Sequence, residues 1–177
     1  MIGTRKTKAG GKTRSGNSHN NYVKNMIEDV SIKKLKLISD SRGYLMEMLR
    51  NDEDIFQKFG QVYLTVCNPK VVKGWHYHKK QTDFFVVVKG NAKIVLYDNR
   101  KNSKTKGEVQ EIFMGEKNPI LLTIPPYVIH GFTAENNEQC YLINCCTHPY
   151  DYKKPDEFRI DFKSKDIPYD WGLEEGG

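Results

Sequence analysis

Gly74-Trp75-His76-Tyr77-His78, with Asp83 five residues beyond His78 and the run Phe84-Phe85-Val86-Val87-Val88 directly after it, decides the reading of this 177-residue chain. Side chains alternate across a strand, so His76 and His78 share one face. Gly90 closes the apolar run. A distant segment, Pro125-Pro126-Tyr127-Val128-Ile129-His130, follows another apolar run, Ile120 to Ile124. Three of the five histidines therefore stand at the ends of strand-like segments. If those segments line one barrel, the imidazoles converge in its mouth.

Outward from this stretch the pattern stays short and extended. Gln61 to Val66, Ala92 to Tyr97, Val109 to Met114 and Tyr141 to Asn144 read as strands. Asn68-Pro69, Lys89-Gly90-Asn91 and the polar loop Lys101 to Gly107 read as the turns between them. Ser31 to Ile38 alternates like a single edge strand, Asp40-Ser41-Arg42-Gly43 is a turn, and Asp52 to Phe59 has room for one short helix. About nine to eleven short strands, with turns every ~8–12 residues, predict an all-β barrel or double-sheet jelly roll.

The net charge of +6 is local. Residues 1–24 carry Arg5, Lys6, Lys8, Lys12, Arg14 and Lys24 and no acid; the rest holds 22 basic and 22 acidic residues. We therefore divide the chain into a basic Gly/Ser/Asn/Lys-rich tail, residues 1–26, and one domain, residues 27–177. Such a tail has little to bury, and disorder or loose docking is expected. It lacks the aromatic interleaving that would point to nucleic acid. No apolar run reaches the ~18 residues of a membrane span, and no secretory signal is visible at the N-terminus. Cys67, Cys140, Cys145 and Cys146 form no CxxC pair, which fits reduced thiols in the cytoplasm.

Two chemistries use three imidazoles and a carboxylate at one mouth. In the first, a histidine near neutrality removes a proton beside a ketone, and a donor or cation stabilises the enolate. In the second, His76, His78, Asp83 and His130 ligate one divalent metal such as Fe, Mn, Ni or Zn. Residue types alone leave both open.

The chain resembles the cupin superfamily, a double-stranded β-helix, and within it the dTDP-4-dehydrorhamnose 3,5-epimerase-like proteins. The resemblance runs from about Ser39 to Trp171. Asp40-Ser41-Arg42-Gly43 is similar to an early D-x-R-G turn, and Lys73-Gly74-Trp75-His76-Tyr77 to R-G-L-H-Y. Tyr97-Asp98-Asn99-Arg100 with Ser103-Lys104-Thr105-Lys106-Gly107 is similar to D-x-R…S-P-T-x-G, and Ile124-Pro125-Pro126-Tyr127-Val128-Ile129-His130-Gly131-Phe132 to I-P-x-G-x-x-H-G-F. His76-Tyr77-His78-Lys79-Lys80-Gln81 also resembles the H-A-H-K of nucleotide-sugar 3,4-ketoisomerases.

The resemblance implies an epimerase or ketoisomerase acting on a nucleotide-linked 4-keto-6-deoxy sugar, as a homodimer and without a cofactor. His76 is then the base, and His130 and His78 orient or relay. The family's acid tyrosine falls at Ile143 by ungapped count, with Tyr141 on the same face as the candidate acid. Arg42 and Lys73 meet the diphosphate, and His78 and Asp83 contact the substrate. Asp83 stands where the family has an enolate-stabilising lysine, an anion in place of a cation. A metal-dependent cupin of another reaction class and a barrel that binds sugar nucleotides without chemistry are the alternatives. The homodimer is expected to form by crossing of Ser31–Ile38 to a partner.

Overall fold

The computed structural model describes residues 26–177. The tail assigned to residues 1–26 thus lies almost wholly outside the described residues. Met26 is already packed against the core, beside fully buried Ile27.

Thirteen strands are formed by the described residues. The N-terminal part holds β1 (Ser31–Lys34), β2 (Leu37–Asp40) and β3 (Gly43–Met46). The barrel proper follows as β4 (Gln61–Cys67), β5 (Val71–Tyr77), β6 (Asp83–Lys89), β7 (Asn91–Asp98), β8 (Val109–Gly115), β9 (Ile120–Ile124), β10 (Val128–Ala134) and β11 (Cys140–Cys146). Two short strands, β12 (Phe158–Arg159) and β13 (Glu175–Gly176), close the C-terminal segment. One sheet runs β1-β9-β6-β11-β4, and the other runs β12-β5-β10-β7-β8 with β13 added parallel to β5. This is the jelly roll expected from the sequence, with the apolar core between the sheets. Phe85, Val87, Leu122 and Leu142 from the first sheet meet Ile94, Leu96 and Phe132 from the second.

The continuous apolar run of β6 is explained by burial on both faces. Phe85 and Val87 face the core, while Phe84 and Val86 face Leu35, Leu121 and the covering segment with Met46, Met48, Leu49 and Ile55. On the outside of the second sheet, Trp75 packs on Trp171 with ring centroids 4.8 Å apart, and Tyr169 completes the cluster.

Two local expectations are corrected. Asp52–Phe59 is not a helix but turns, held by an i→i+3 bond from the Phe56 amide to the Glu53 carbonyl. A segment this short cannot offset helix nucleation, and Arg50 ties down Glu47 and Asp52 instead. Ser31–Ile38 is two strands rather than one. Leu35 breaks it by turning inward, its amide donating to the Pro119 carbonyl. β1 then pairs with β9 of its own chain, and among the described residues β2 pairs only with β3, in a projecting hairpin.

Candidate active site

β5 and β10 lie side by side with His76 opposite His130. Two glycines permit this approach. A Cβ on Gly74, whose φ is +152°, would stand 2.6 Å from the Gly131 Cα, and one on Gly131 would stand 3.1 Å from the Gly74 Cα. The imidazoles of His76 and His130 consequently meet at 4.1 Å between ring centres, and His78 joins them at 5.7 Å from His76. His76, His78, Asp83 and His130 each offer a ligand atom within 4.8 Å of the others. The convergence expected from the sequence is therefore present in all four residues.

Asp83 lies behind the imidazoles rather than facing the cavity. It is fully buried, and its Oδ1 accepts from Gln81 Nε2 at 2.8 Å and Asn144 Nδ2 at 2.7 Å. Its Oδ2 is 3.3 Å from both His78 Nε2 and His130 Nε2. Burial pushes the Asp83 carboxyl upward, but the interactions with His130 and His78 outweigh this and hold it well below the usual carboxylate range. Burial likewise lowers His78, yet the hydrogen bond and charge of Asp83 leave it raised. His76 is held well below the ordinary histidine value, by burial first and by the neighbouring His130 second, so it is neutral.

A cavity of about 600 Å³ opens beside this group. His76, His78, Lys73, Gln81 and Arg159 line it from one side, Gln61, Tyr63 and Thr65 come from β4, and Tyr150, Tyr152 and Asp156 come from the segment before β12. The Lys73 ammonium donates to Thr65 Oγ1 at 2.9 Å, as suits a cation kept at the cavity wall.

Several expected site residues are placed elsewhere. Tyr141 is not at the cavity. Inward positions on β11 are Cys140, Leu142, Asn144 and Cys146, so Tyr141 and Ile143 both point outward, and the Tyr141 hydroxyl reaches Gln139. Arg42 sits at the tip of the β2–β3 hairpin, with its side chain 88% exposed and paired to Asp40, and it lines no part of this cavity. Asp83 belongs to the cluster but is shielded from a substrate.

Two residues that sequence reading missed take their place. Tyr63 is the register partner of Asn144 and shares its inward face. The Asn144 amide is oriented by the Phe84 N–H, which donates to its Oδ1; its Nδ2 then donates to both Asp83 and the Tyr63 oxygen, the latter at 2.9 Å. The Tyr63 hydroxyl hydrogen is left for a ligand in the cavity. Burial, and then the charge of Asp83, push its pKa well above the ordinary tyrosine value, so it stays protonated. Asp156 is the second. Its carboxylate accepts the amides of Lys79, Lys80 and Gln81, and its carbonyl accepts from His78 Nδ1.

Comparison with known proteins follows the same lines. Residues 24–176 match the family described as dTDP-4-dehydrorhamnose 3,5-epimerase. The spore coat polysaccharide biosynthesis protein SpsL of Bacillus subtilis is 42% identical over 149 residues, which is 84% of this chain and 99% of that protein. The probable low-salt glycan biosynthesis epimerase Agl13 of Haloferax volcanii is 40% identical over 153 residues, covering 85% of this chain and 98% of the relative. Among solved structures, a dTDP sugar isomerase from Desulfovibrio desulfuricans G20 superposes with a TM-score of 0.78 at 32% identity, over 82% of this chain and 92% of that one.

Proposed function

The chain belongs to the dTDP-4-dehydrorhamnose 3,5-epimerase family, and from that membership we propose that it epimerises a nucleotide-linked 4-keto-6-deoxy sugar by moving a proton at a carbon next to the ketone. One observation carries the reading: a neutral imidazole from the six-stranded sheet and a protonated phenol from the five-stranded sheet line one cavity. Inversion needs a base on one face of the sugar carbon and an acid on the other. His76 is the base. Tyr63, rather than Tyr141, is the acid.

Other groups fit the remainder of the ligand. A volume of about 600 Å³ accommodates a hexose with its diphosphate. Lys73 and Arg159 supply charge-assisted donors for phosphate oxygens. Tyr150 and Tyr152, with ring centres 5.0 Å apart, offer a stacking surface for the base. The electrostatic objection to Asp83 in place of lysine is met by its burial, because its charge is spent on two amides and two imidazoles. The proton transfers need no organic or redox cofactor, since base and acid are both side chains.

The protein acts as a homodimer in the cytoplasm on this reading. The four cysteines are free thiols, as in a reducing compartment. Among the described residues no helix is long and apolar enough to cross a membrane. Among the described residues β4 is a free sheet edge with exposed Phe59, Val62 and Leu64 beside it, and the hairpin exposes Ile38, Tyr44 and Leu45. Such an edge is suited to pairing with a second copy.

The experiment is product analysis with 4-keto-6-deoxy sugars linked to dTDP, UDP, CDP and GDP. Inversion at C3 or C5 of at least one is expected. Absence of both binding and inversion across all four would overturn the proposal.

A further inference from the structure

We propose that Asn144 is a positioning residue, which aims the Tyr63 hydroxyl into the cavity and stabilises the phenolate left when that proton is given up. The role rests on the epimerase reading; the contacts that carry it do not. Asn144 is 0% exposed on β11. The inward positions around it are Cys140, Leu142 and Cys146, which bring no strong hydrogen-bonding group. A buried amide in such a row costs stability unless its donors and acceptor are all used. Packing alone would be served by another apolar side chain.

Both ends of the amide are used. The Phe84 N–H donates to Oδ1 at 3.0 Å. Nδ2 carries two hydrogens. One goes to Asp83 Oδ1 at 2.7 Å, since a carboxylate only accepts. The other goes to the Tyr63 oxygen at 2.9 Å. Turning the amide over would set its oxygen against Asp83 and its N–H groups against the Phe84 N–H. The orientation of Asn144 therefore follows from a backbone donor and a carboxylate, and not from Tyr63. Strand register assembles the group, because Asn144 lies opposite Tyr63 on one side and Phe85 on the other.

The phenol is affected in two ways. Its oxygen accepts from β11, so its own hydrogen points away from Asn144 and toward the cavity that Tyr63 lines. The same contact also strengthens as the proton leaves. An N–H donated to an ionised oxygen is roughly twice as strong as one donated to a neutral oxygen. An interaction that grows toward the transition state lowers the barrier. Asn144 moreover stands between the phenolate that forms and the Asp83 carboxylate already present. Burial first, and then the charge of Asp83, push the Tyr63 pKa up, and the Asn144 hydrogen bond pulls against them.

Two experiments test the role. The first needs no substrate. In NMR spectra of the wild type, both Asn144 side-chain N–H signals should exchange slowly with solvent. In Tyr63→Phe one of them should move upfield and exchange faster, while the other, held by Asp83, stays. Two unchanged signals overturn the contact and the role with it. The second experiment is kinetic. Asn144→Ser and Asn144→Asp both remove the N–H, and the aspartate keeps the size and the acceptor for Phe84. Each should lower inversion by about 10–100-fold, the worth of a hydrogen bond to a charged group, while solvent deuterium is still washed in. The double variant Tyr63→Phe/Asn144→Ser should be no slower than Tyr63→Phe alone. Wash-in lost in step with inversion, or losses that multiply in the double variant, would show a structural role and overturn the proposal. Melting curves establish that each variant folds; should one fail, the other and the NMR comparison decide. Wild-type inversion rates in both Asn144 variants, with Tyr63→Phe impaired, sink the positioning role and leave the epimerase reading standing. Wild-type protein that inverts no nucleotide sugar ends both, even with the NMR contact intact.

Discussion

At the scale of single residues, the proposed mechanism turns on Tyr63. Its oxygen accepts from Asn144 and its proton remains available, whereas the Tyr141 hydroxyl is spent at the surface on Gln139. The two tyrosines therefore make opposite predictions. Tyr63→Phe should lower turnover by about 10²–10⁴-fold, the usual worth of a positioned acid, with nucleotide affinity changed only a few-fold. Tyr141→Phe should leave turnover within about twofold, as for a surface change. Steady-state kinetics on the two variants check this. Equal effects, or the larger effect at Tyr141, would reassign the acid.

Elements contribute through what they carry to each other. The loop after β7 is pinned by Asp98, whose carboxylate accepts from Arg100, from Ser103 and from Thr105 at 2.7 Å; Arg100 in turn binds Asp29 and the Glu28 carbonyl. Burial pushes the Asp98 carboxyl up, but the Arg100, Ser103 and Thr105 hydrogen bonds prevail and hold it low. A depressed carboxylate contributes stability above its unfolded pKa of ~3.9 and loses it as pH falls through the folded value. Asp98→Asn should therefore cost about 2 kcal/mol at neutral pH, and the gap to wild type should narrow as pH falls below ~4. Denaturant melts at pH 7 and at pH 3 measure it; a gap that stays constant would contradict the assignment.

The β2–β3 hairpin is the other element with a distinct role. Among the described residues it pairs with no further strand, and its Arg42 does not line the His76 cavity. In the proposed dimer it would serve the partner's cavity. Arg42→Ala and His76→Asn proteins, each impaired alone, should recover about a quarter of wild-type activity when mixed in equal amounts and refolded together, because roughly half of the dimers are then heterodimers and one of the two sites in each is intact. Mixtures no more active than the average of the parents would show that Arg42 acts at its own site or at none.

At the scale of the whole molecule, period-2 alternation and turn spacing were enough to read the jelly roll and the convergence of His76, His78, Asp83 and His130, because strand direction and barrel closure follow from local pattern. What stayed hidden depended on register between distant strands. Nothing near Tyr63 says that it opposes Asn144, and the motif count points to Tyr141 and Ile143, on the outward face of β11. Asp156 is 78 residues from the His78 that it positions. Arg42 lies within a motif yet projects away, since a hairpin can leave the barrel without altering its own alternation.

The central claim is that one proton leaves the sugar to His76 and another returns from Tyr63 across the cavity. Solvent-deuterium incorporation into a 4-keto-6-deoxy nucleotide sugar, followed by NMR and mass spectrometry, tests it most directly. Wild-type protein should place deuterium beside the ketone with inversion. Tyr63→Phe should still wash deuterium in but invert poorly, and His76→Asn should bind the nucleotide and incorporate none. Incorporation by His76→Asn at the wild-type rate would contradict the account.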